Sequence, residues 1–303
     1  MTEHAPILLF TYKRLETLKQ TVTALQQNDL APKSDLFIFS DAAKVVKDEL
    51  LINEIRTYIK TIVGFKSVQI FEAKENKGLA NSIIDGVTQV INEYGKVVVL
   101  EDDLKTTPNF LSFMNDCLHL YEKDKKAFSV SGYSFDLGIN KDDINDGYFL
   151  NRGWSWGWAT WKDRWNAVDW QVKDYTQFVK DTKARNLFAE GGSDLNAMLD
   201  KQMSGELDSW AIRWFYHQFR TNGLTIFPLK SKVYNDGFDQ DATHTTGSNS
   251  RYLPYLDTEY KYNFKLPEVV SISSYYQKQF QSKMGIWSRI VSKIETVFKK
   301  LMG

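Results

Sequence analysis

Three consecutive carboxylates, Glu101, Asp102 and Asp103, follow a short apolar run at residues 96–100. A β-branched run of this length is typical of a buried strand, and carboxylates at its C-terminal end would lie where open α/β sheets bind ligands. Neighbouring carboxylates repel one another unless a cation joins them, and Mg²⁺ and Mn²⁺ prefer oxygen ligands. The pattern favours a divalent cation that also holds a diphosphate. An acidic turn after a core strand is the alternative.

Polar residues also follow three other strand-like segments. Thr11 ends the first and Arg14 follows it, Asp41 comes after the second, and Lys77 lies in a glycine-containing segment after the third. Arg14 could meet a phosphate or a base, and Asp41 could accept hydrogen bonds from a base or ribose. Taken alone, Asp41 is more typical of a helix cap and Lys77 of an ordinary turn. Because strand ends of one sheet share one crevice, we expect these residues to converge on one sugar nucleotide.

The elements that must position these residues alternate along the first half of the chain. The strand-like segments are 6–11, 35–40, 67–72 and 97–101, and the helix-like segments are 15–27, 49–62, 79–93 and 108–121. This alternation predicts an α/β fold with a doubly wound, mostly parallel sheet flanked by helices. In the second half we expect strands at 127–132 and 224–227, and helices at 194–203 and 210–222.

The order of these motifs over residues 5–250 resembles that of the GT-A glycosyltransferases, in particular bacterial family-2-like enzymes and relatives of N-acetylglucosaminyltransferase I. The resemblance implies a GT-A (Rossmann-like) fold in which an acidic motif binds Mn²⁺ or Mg²⁺ and the donor diphosphate. It makes Asp103 a direct metal ligand and places Asp41 against the nucleoside. The donor-binding residues expected in this chain are Thr11, Arg14, Asp41, Lys77, Glu101, Asp102 and Trp156.

Inverting members of this family also need a general base. The resemblance places it shortly before a tryptophan at a helix start, and in this chain Asp208 precedes Trp210. A carboxylate there can take the proton from an acceptor hydroxyl as the oxygen attacks the anomeric carbon. Judged from the residues alone, Asp208 is more typical of a cap for the following helix. Glu206 is the competing choice for the base.

Tryptophans are concentrated between residues 154 and 170. Aromatic rings stack on sugar faces, and we expect one or two of Trp154, Trp156 and Trp158 to touch donor or acceptor while the rest pack in the core. The polar segment 234–251 contains His244, which the resemblance makes a second candidate metal or diphosphate ligand. An ordinary loop histidine is the alternative.

Composition excludes several function classes. The 303 residues include 38 basic and 38 acidic side chains, so no overall positive field attracts nucleic acid. The single cysteine excludes an intramolecular disulfide and argues against a cysteine-based metal site. No apolar stretch has the length of a transmembrane helix and no signal peptide opens the chain, so we expect a cytoplasmic protein.

The C-terminal segment carries a separate signal. Apolar residues recur at spacings of three and four over 284–302. From residue 277 onward the charged residues are six Lys or Arg and one Glu. A basic amphipathic helix is typical of a peripheral anchor on the inner face of the cell membrane. Packing on the protein itself or on a partner subunit is the alternative.

These features predict an inverting, metal-dependent hexosyltransferase that moves a sugar from a UDP-linked, rather than GDP-linked, donor to a hydroxyl of a glycan or lipid-linked saccharide. The expected product is a bacterial surface polysaccharide. We expect a nucleotide-sugar-binding half over 1–125, an acceptor-binding half over 126–265 and a C-terminal extension over 266–303. The alternatives are a nucleotidyltransferase, which normally has a glycine-rich loop after its first strand, and a glycan-binding module without turnover.

Overall fold

The computed structural model describes residues 4–237, 252–285 and Ser288. Within these residues the strands are β1 (Ile7–Thr11), β2 (Asp35–Ser40), β3 (Ser67–Glu72), β4 (Lys96–Glu101), β5 (Leu104–Thr106), β6 (Ala127–Ser131), β7 (Gly147–Leu150), β8 (Trp158–Trp161), β9 (Leu224–Pro228) and β10 (Val233–Asn235). The α-helices are α1 (Leu15–Gln26), α2 (Glu49–Ile59), α3 (Leu79–Tyr94), α4 (Phe110–Leu120), α5 (Lys162–Asn166), α6 (Tyr175–Phe178), α7 (Thr182–Ala189), α8 (Leu195–Ser204), α9 (Trp210–Arg220) and α10 (Ser274–Met284).

Across the described ranges, eight strands form one sheet in the order β3-β2-β1-β4-β8-β6-β9-β7. The first four strands of the chain are parallel to one another, while β8 runs antiparallel to both β4 and β6. β9 is parallel to β6 and antiparallel to β7. The predicted α/β fold with a mostly parallel central sheet flanked by helices is therefore confirmed.

Both faces of the sheet are buried, which explains the continuous apolar runs of its central strands. In β1, Ile7 and Leu9 belong to one core layer, whereas Leu8 and Phe10 belong to the other. The first layer lies under α1, α2, α4 and α10, and the second lies under α3, α8 and α9. The sheet is thus fixed from both sides, and its strand ends make a rigid edge.

The C-terminal ends of the parallel strands meet at this edge. In register, Thr11 of β1 lies opposite Ser40 of β2, and Phe10 lies opposite Glu101 of β4. Strand β1 has β2 on one side and β4 on the other, so the strand order reverses between β1 and β4. A reversal of this kind opens the crevice in which α/β sheets bind ligands.

Strand β8 was not predicted, because its four residues belong to the tryptophan-rich segment. All four are buried, with Trp158 in one core layer and Ala159 and Trp161 in the other. The Trp158 ring packs against Trp214 of α9, with ring centroids 4.4 Å apart. Strand β8 lies between β4 and β6 and makes the sheet continuous. The sheet therefore extends across residue 125, the predicted boundary between the two halves. That boundary stays a prediction.

No helix in the described part of the chain is long and apolar enough to cross a membrane.

Candidate active site

A cavity of about 230 Å³ opens at the C-terminal ends of β1, β2 and β4. It is bounded on its apolar side by Phe10, Phe39 and Leu79. The predicted donor-binding residues that line it are Thr11, Arg14, Asp41, Glu101 and Asp102. Residues from three strand ends, distant in the sequence, therefore share one cavity at the switch point of the sheet.

The apolar wall is held by stacked aromatic rings. Phe39 stacks on Phe10 and on Phe71, with ring centroids 4.9 Å apart in both pairs. Helix α3 lies directly against these rings at Gly86, where an added Cβ would come within 2.9 Å of Phe10 and 3.0 Å of Phe39. The glycine thus permits a close approach that fixes α3 against one side of the cavity.

Asp102 is the most extensively bonded carboxylate of the acidic turn. Its Oδ2 accepts hydrogen bonds from the Thr11 hydroxyl (3.0 Å) and the Tyr12 backbone N–H (3.1 Å), and its Oδ1 accepts one from Arg14 (2.8 Å). The residue is only 4% exposed. Because both oxygens are engaged, Asp102 joins the end of β4 to the segment that follows β1.

Arg14 joins the two aspartates of the turn. Its Nη2 lies 2.8 Å from Asp102 Oδ1 and 2.7 Å from Asp103 Oδ2. Burial alone would lower the pKa of the guanidinium, but the neighbouring Asp102 and Asp103 raise it above its ordinary value. Arg14 is therefore a permanent positive charge between two carboxylates.

Glu101 and Asp103 both favour protonation more than ordinary carboxylates do. Burial, with added repulsion from Asp103 and Asp102, raises the pKa of Glu101 to about 8. Burial also raises the pKa of Asp103, against the opposing effect of Arg14. The three acids therefore do not carry three full negative charges at neutral pH in the free protein.

Strand β10 covers the acidic turn from a distant part of the chain, and the sequence had not indicated this contact. It pairs with β5 immediately after the turn, and Asp236 N donates to the backbone oxygen of Asp103 (2.9 Å). At Gly237 a Cβ would collide with the Asp103 carboxylate, so a side chain there is excluded. The available sequence signal was the run Asn235-Asp236-Gly237, which is typical of a turn.

A buried ion pair precedes β10 and holds it in place. Lys232 pairs with Asp257, and Asp257 also accepts a hydrogen bond from Asn109 Nδ2 (2.9 Å) at the start of α4. Lys232 O accepts from Thr107 N (2.9 Å) just beyond β5. These contacts fix the distance between β10 and the acidic turn.

Asp41 fastens the start of α3 to the end of β2. Its Oδ1 accepts from the backbone N–H groups of Ala42 (2.8 Å) and Lys77 (2.9 Å). Its Oδ2 accepts from Gly78 N (3.0 Å) and Asn76 Nδ2 (3.1 Å). These four bonds give Asp41 a role in holding residues 76–78. Its predicted contact with a nucleoside stays a prediction.

The Lys77 side chain is directed away from the acids. Its Nζ pairs with Asp85 of α3 at 2.8 Å on the exposed side of the helix. It lines a neighbouring cavity of about 180 Å³ together with Phe71 and Gly86. Lys77 thus lines an adjoining cavity, which shares Phe39, Asp41 and Ser82 with the larger switch-point cavity.

Asp208 lies at the rim of the switch-point cavity. Its Oδ2 lies 3.9 Å from the point where a Cβ on Gly78 would be, and Gly78 lines the cavity. The Asp208 side chain is 65% exposed. The alternative that Asp208 caps α9 is wrong, since Ser209 is the N-cap and its hydroxyl accepts from Ile212 N. Asp208 is instead paired loosely with Arg213, at 3.7 Å.

The tryptophans of this segment divide between core and partly exposed positions, and Trp156 does not line the switch-point cavity. Trp158 is fully buried, and Trp154 is nearly so. Trp156 is half-buried and packs edge-on against Tyr133 and Trp154, with centroids 4.7 and 5.2 Å away. Its predicted contact with the donor stays a prediction. His244 and almost all of the segment 284–302 lie outside the described residues.

The donor set of the acidic turn suits a hard cation. No three His, Cys, Asp or Glu side chains form a metal-binding group within the described residues. However, Asp102 and Asp103 already hold the Arg14 guanidinium between them. The guanidinium lies where the carboxylates would neutralise the charge of a bound divalent ion. Carboxylate oxygens are the ligands that Mg²⁺ and Mn²⁺ prefer, and such ions commonly take their remaining ligands from phosphates and water.

The chain is similar to a curated glycosyltransferase. It is 24% identical over 237 residues to an α-1,3-mannosyl-glycoprotein 2-β-N-acetylglucosaminyltransferase from Arabidopsis thaliana, covering 69% of this chain and 53% of that protein. The chain thus spans about half the length of this relative. No family model matches. The predicted resemblance to relatives of N-acetylglucosaminyltransferase I is therefore confirmed as a distant one.

Two solved structures match the chain at low similarity. One is a mannosyltransferase from Pyrobaculum calidifontis in complex with GDP-Man and Mn²⁺, with a TM-score of 0.39 and 12% identity over 53% of this chain and 45% of that one. The other is a fragment of S. aureus TarS, with a TM-score of 0.44 and 9% identity over 77% of this chain and 60% of that one.

The role of Asp41 can be tested by Asp41→Asn. The amide NH₂ would face two donors in place of one carboxylate oxygen, so we expect the free energy of unfolding to fall by about 2 kcal/mol. Asp85→Asn, at an exposed carboxylate of α3, is the matched control and should cost no more than about 0.5 kcal/mol. Urea unfolding measures both, and equal losses would show that Asp41 does not hold residues 76–78.

The pKa of Glu101 gives a prediction for stability against pH. The folded carboxyl keeps its proton up to about pH 8, whereas its ordinary pKa is 4.5. The folded state therefore binds more protons between these values, and the free energy of unfolding must fall as pH rises, by at most about 1.4 kcal/mol per pH unit. Glu101→Gln cannot titrate and should flatten this slope. Parallel stability curves for the two proteins from pH 5 to 8 would contradict the assignment.

Proposed function

We propose that this protein is an inverting glycosyltransferase that moves a hexose from a nucleotide sugar to a hydroxyl of a glycan or lipid-linked saccharide. The observation that carries the proposal is the cavity at the switch point, where Arg14 and the acidic turn meet and Asp208 lies at the rim. Two aspartates that can hold a cation, next to a wall of aromatic rings, suit a nucleoside diphosphate. A carboxylate at the rim suits an acceptor that enters from solvent.

In this reaction, Asp208 takes the proton of the acceptor hydroxyl as its oxygen attacks the anomeric carbon. The bond between that carbon and the diphosphate oxygen breaks, and the nucleoside diphosphate leaves with the electron pair. Asp208 suits this role because it is exposed, does not cap α9 and is paired only at 3.7 Å. Glu206 is the competing residue, and its side chain accepts a hydrogen bond from Ser204 (3.0 Å).

The donor half of the site would use residues from both sides of the switch point. Arg14 offers a guanidinium to the diphosphate, and Phe10 and Phe39 offer an apolar wall beside the nucleoside. Asp103, with Asp102 beside it, would hold Mn²⁺ or Mg²⁺, and His244 is proposed as a further ligand. When bound, such an ion acts as a Lewis acid toward the leaving diphosphate.

The remaining parts of the proposal concern the biological setting. We propose a UDP-linked donor in preference to a GDP-linked one, and a product in bacterial surface polysaccharide synthesis. A cytoplasmic location and peripheral membrane contact through residues 284–302 belong to the same proposal, because a lipid-linked acceptor would bring the enzyme to a membrane surface.

Nucleotide binding is the first test of this function. Calorimetric titration with UDP, then GDP, should show UDP bound more tightly, with binding that requires Mn²⁺ and is lost in Asp103→Ala. Asp85→Ala, which removes an exposed carboxylate of α3, should bind UDP like the wild type. If neither nucleotide binds under any metal condition, the transferase proposal fails and the glycan-binding module becomes the better explanation.

The general base is tested by comparing Asp208→Asn with Glu206→Gln. Loss of a positioned base should lower kcat by about 10²- to 10⁴-fold in Asp208→Asn while UDP binding is unchanged. Glu206→Gln should keep close to the full rate. A rate loss confined to Glu206→Gln would move the role to Glu206, and full activity of Asp208→Asn would show that Asp208 is not the base.

A further inference from the structure

Arg14 occupies the position in which a metal ion would have to neutralise the acidic turn. One nitrogen, Nη2, contacts both aspartates at 2.8 and 2.7 Å, and the Arg14 side chain is only 22% exposed. The aspartates are more buried still, with side-chain exposures of 6% and 15%. One positive charge from within the protein therefore offsets part of the charge of the two carboxylates, which lie largely out of contact with solvent cations.

The two aspartates differ in what else they bond. Asp102 also accepts hydrogen bonds from Thr11 and from the Tyr12 backbone, and neither of these bonds involves the Arg14 side chain. For Asp103, the oxygen that contacts Arg14 is Oδ2, the same atom with which a Cβ on Gly237 would collide. A divalent ion bound to Asp103 Oδ2 would thus lie next to the guanidinium, and the two positive charges would repel each other.

We propose that Arg14 competes with a divalent cation for Asp103, so that metal binding depends on a nucleoside diphosphate. The inference rests on the proposed function for the identity of the diphosphate. The phosphates attract a guanidinium through charge-assisted bidentate hydrogen bonds, and this draws Arg14 off Asp103 as the metal enters. The metal and the nucleotide then bind as a coupled pair, and each raises the affinity for the other by the same factor.

The experiment measures Mn²⁺ binding directly, by the electron paramagnetic resonance signal of free Mn²⁺, in the absence of nucleotide. Wild type should bind Mn²⁺ weakly, and Arg14→Gln should bind it about tenfold more tightly or better, because the competing charge is gone. Arg14→Lys keeps a cation and should bind Mn²⁺ less tightly than Arg14→Gln. Circular dichroism establishes that each variant is folded.

Lys105→Gln is the matched control for a general charge effect. Lys105 lies two residues from Asp103 in the chain but pairs with Asp236 at 2.8 Å instead. Its removal should change the affinity for Mn²⁺ by less than about threefold. If Lys105→Gln tightens Mn²⁺ binding as much as Arg14→Gln does, the effect is long-range charge and the specific competition is refuted.

The same titration with UDP, corrected for Mn²⁺ binding to UDP without protein, measures the coupling. UDP should raise the Mn²⁺ affinity of wild type about tenfold or more, and this gain should shrink in Arg14→Gln. Equal Mn²⁺ affinities of folded wild type and Arg14→Gln overturn the inference. If Arg14→Gln does not fold, equal Mn²⁺ affinity of wild type with and without UDP overturns it. Absence of UDP binding would instead count against the proposed function, while the nucleotide-free comparison still decides the competition.

Discussion

Burial of the Asp102 carboxylate is the constraint on which the site depends. A buried carboxylate is costly unless each oxygen finds donors, and here the donors are Thr11 at the end of β1 and Tyr12 N and Arg14 just after it. The bonds therefore hold these residues against the end of β4 across the point where strand order reverses. They also aim Arg14, which directly precedes α1, into the cavity.

A second carboxylate organises the opposite side of the cavity in the same way. Asp41 accepts four hydrogen bonds, three of them from backbone N–H groups, and so fixes Gly78 at the start of α3. Gly78 has a φ of +74°, a conformation that favours glycine. Asp41 and Asp102 were predicted from the sequence as ligand contacts, and they also shape the site that would receive the ligand. Asp208 lies beside Gly78, the glycine that Asp41 holds.

The first half of the fold could be predicted because its signals are local. Strands β1 to β4 and the helices between them begin and end within one or two residues of the predicted positions in most cases. The position of the acidic turn follows from the sheet. Strands β5 and β10 have three residues each and pair across more than a hundred positions, so neither has a local signature. For the same reason Gly237 could not be placed on Asp103, nor could the direction of the Arg14 side chain be deduced.

Charge explains how the three adjacent acids of the turn can lie together beside the cavity and its aromatic wall. Below about pH 8 Glu101 keeps its proton, and Arg14 offsets one of the two aspartates, which leaves about one net negative charge. That balance avoids the repulsion expected of three adjacent carboxylates when no ligand is present. In the proposed function, a diphosphate would bring more negative charge than Arg14 alone can neutralise, so a divalent cation would become favourable when Arg14 turned from Asp103 toward the phosphates. In that proposal the same guanidinium would neutralise Asp103 in the free site and the phosphates in the occupied one.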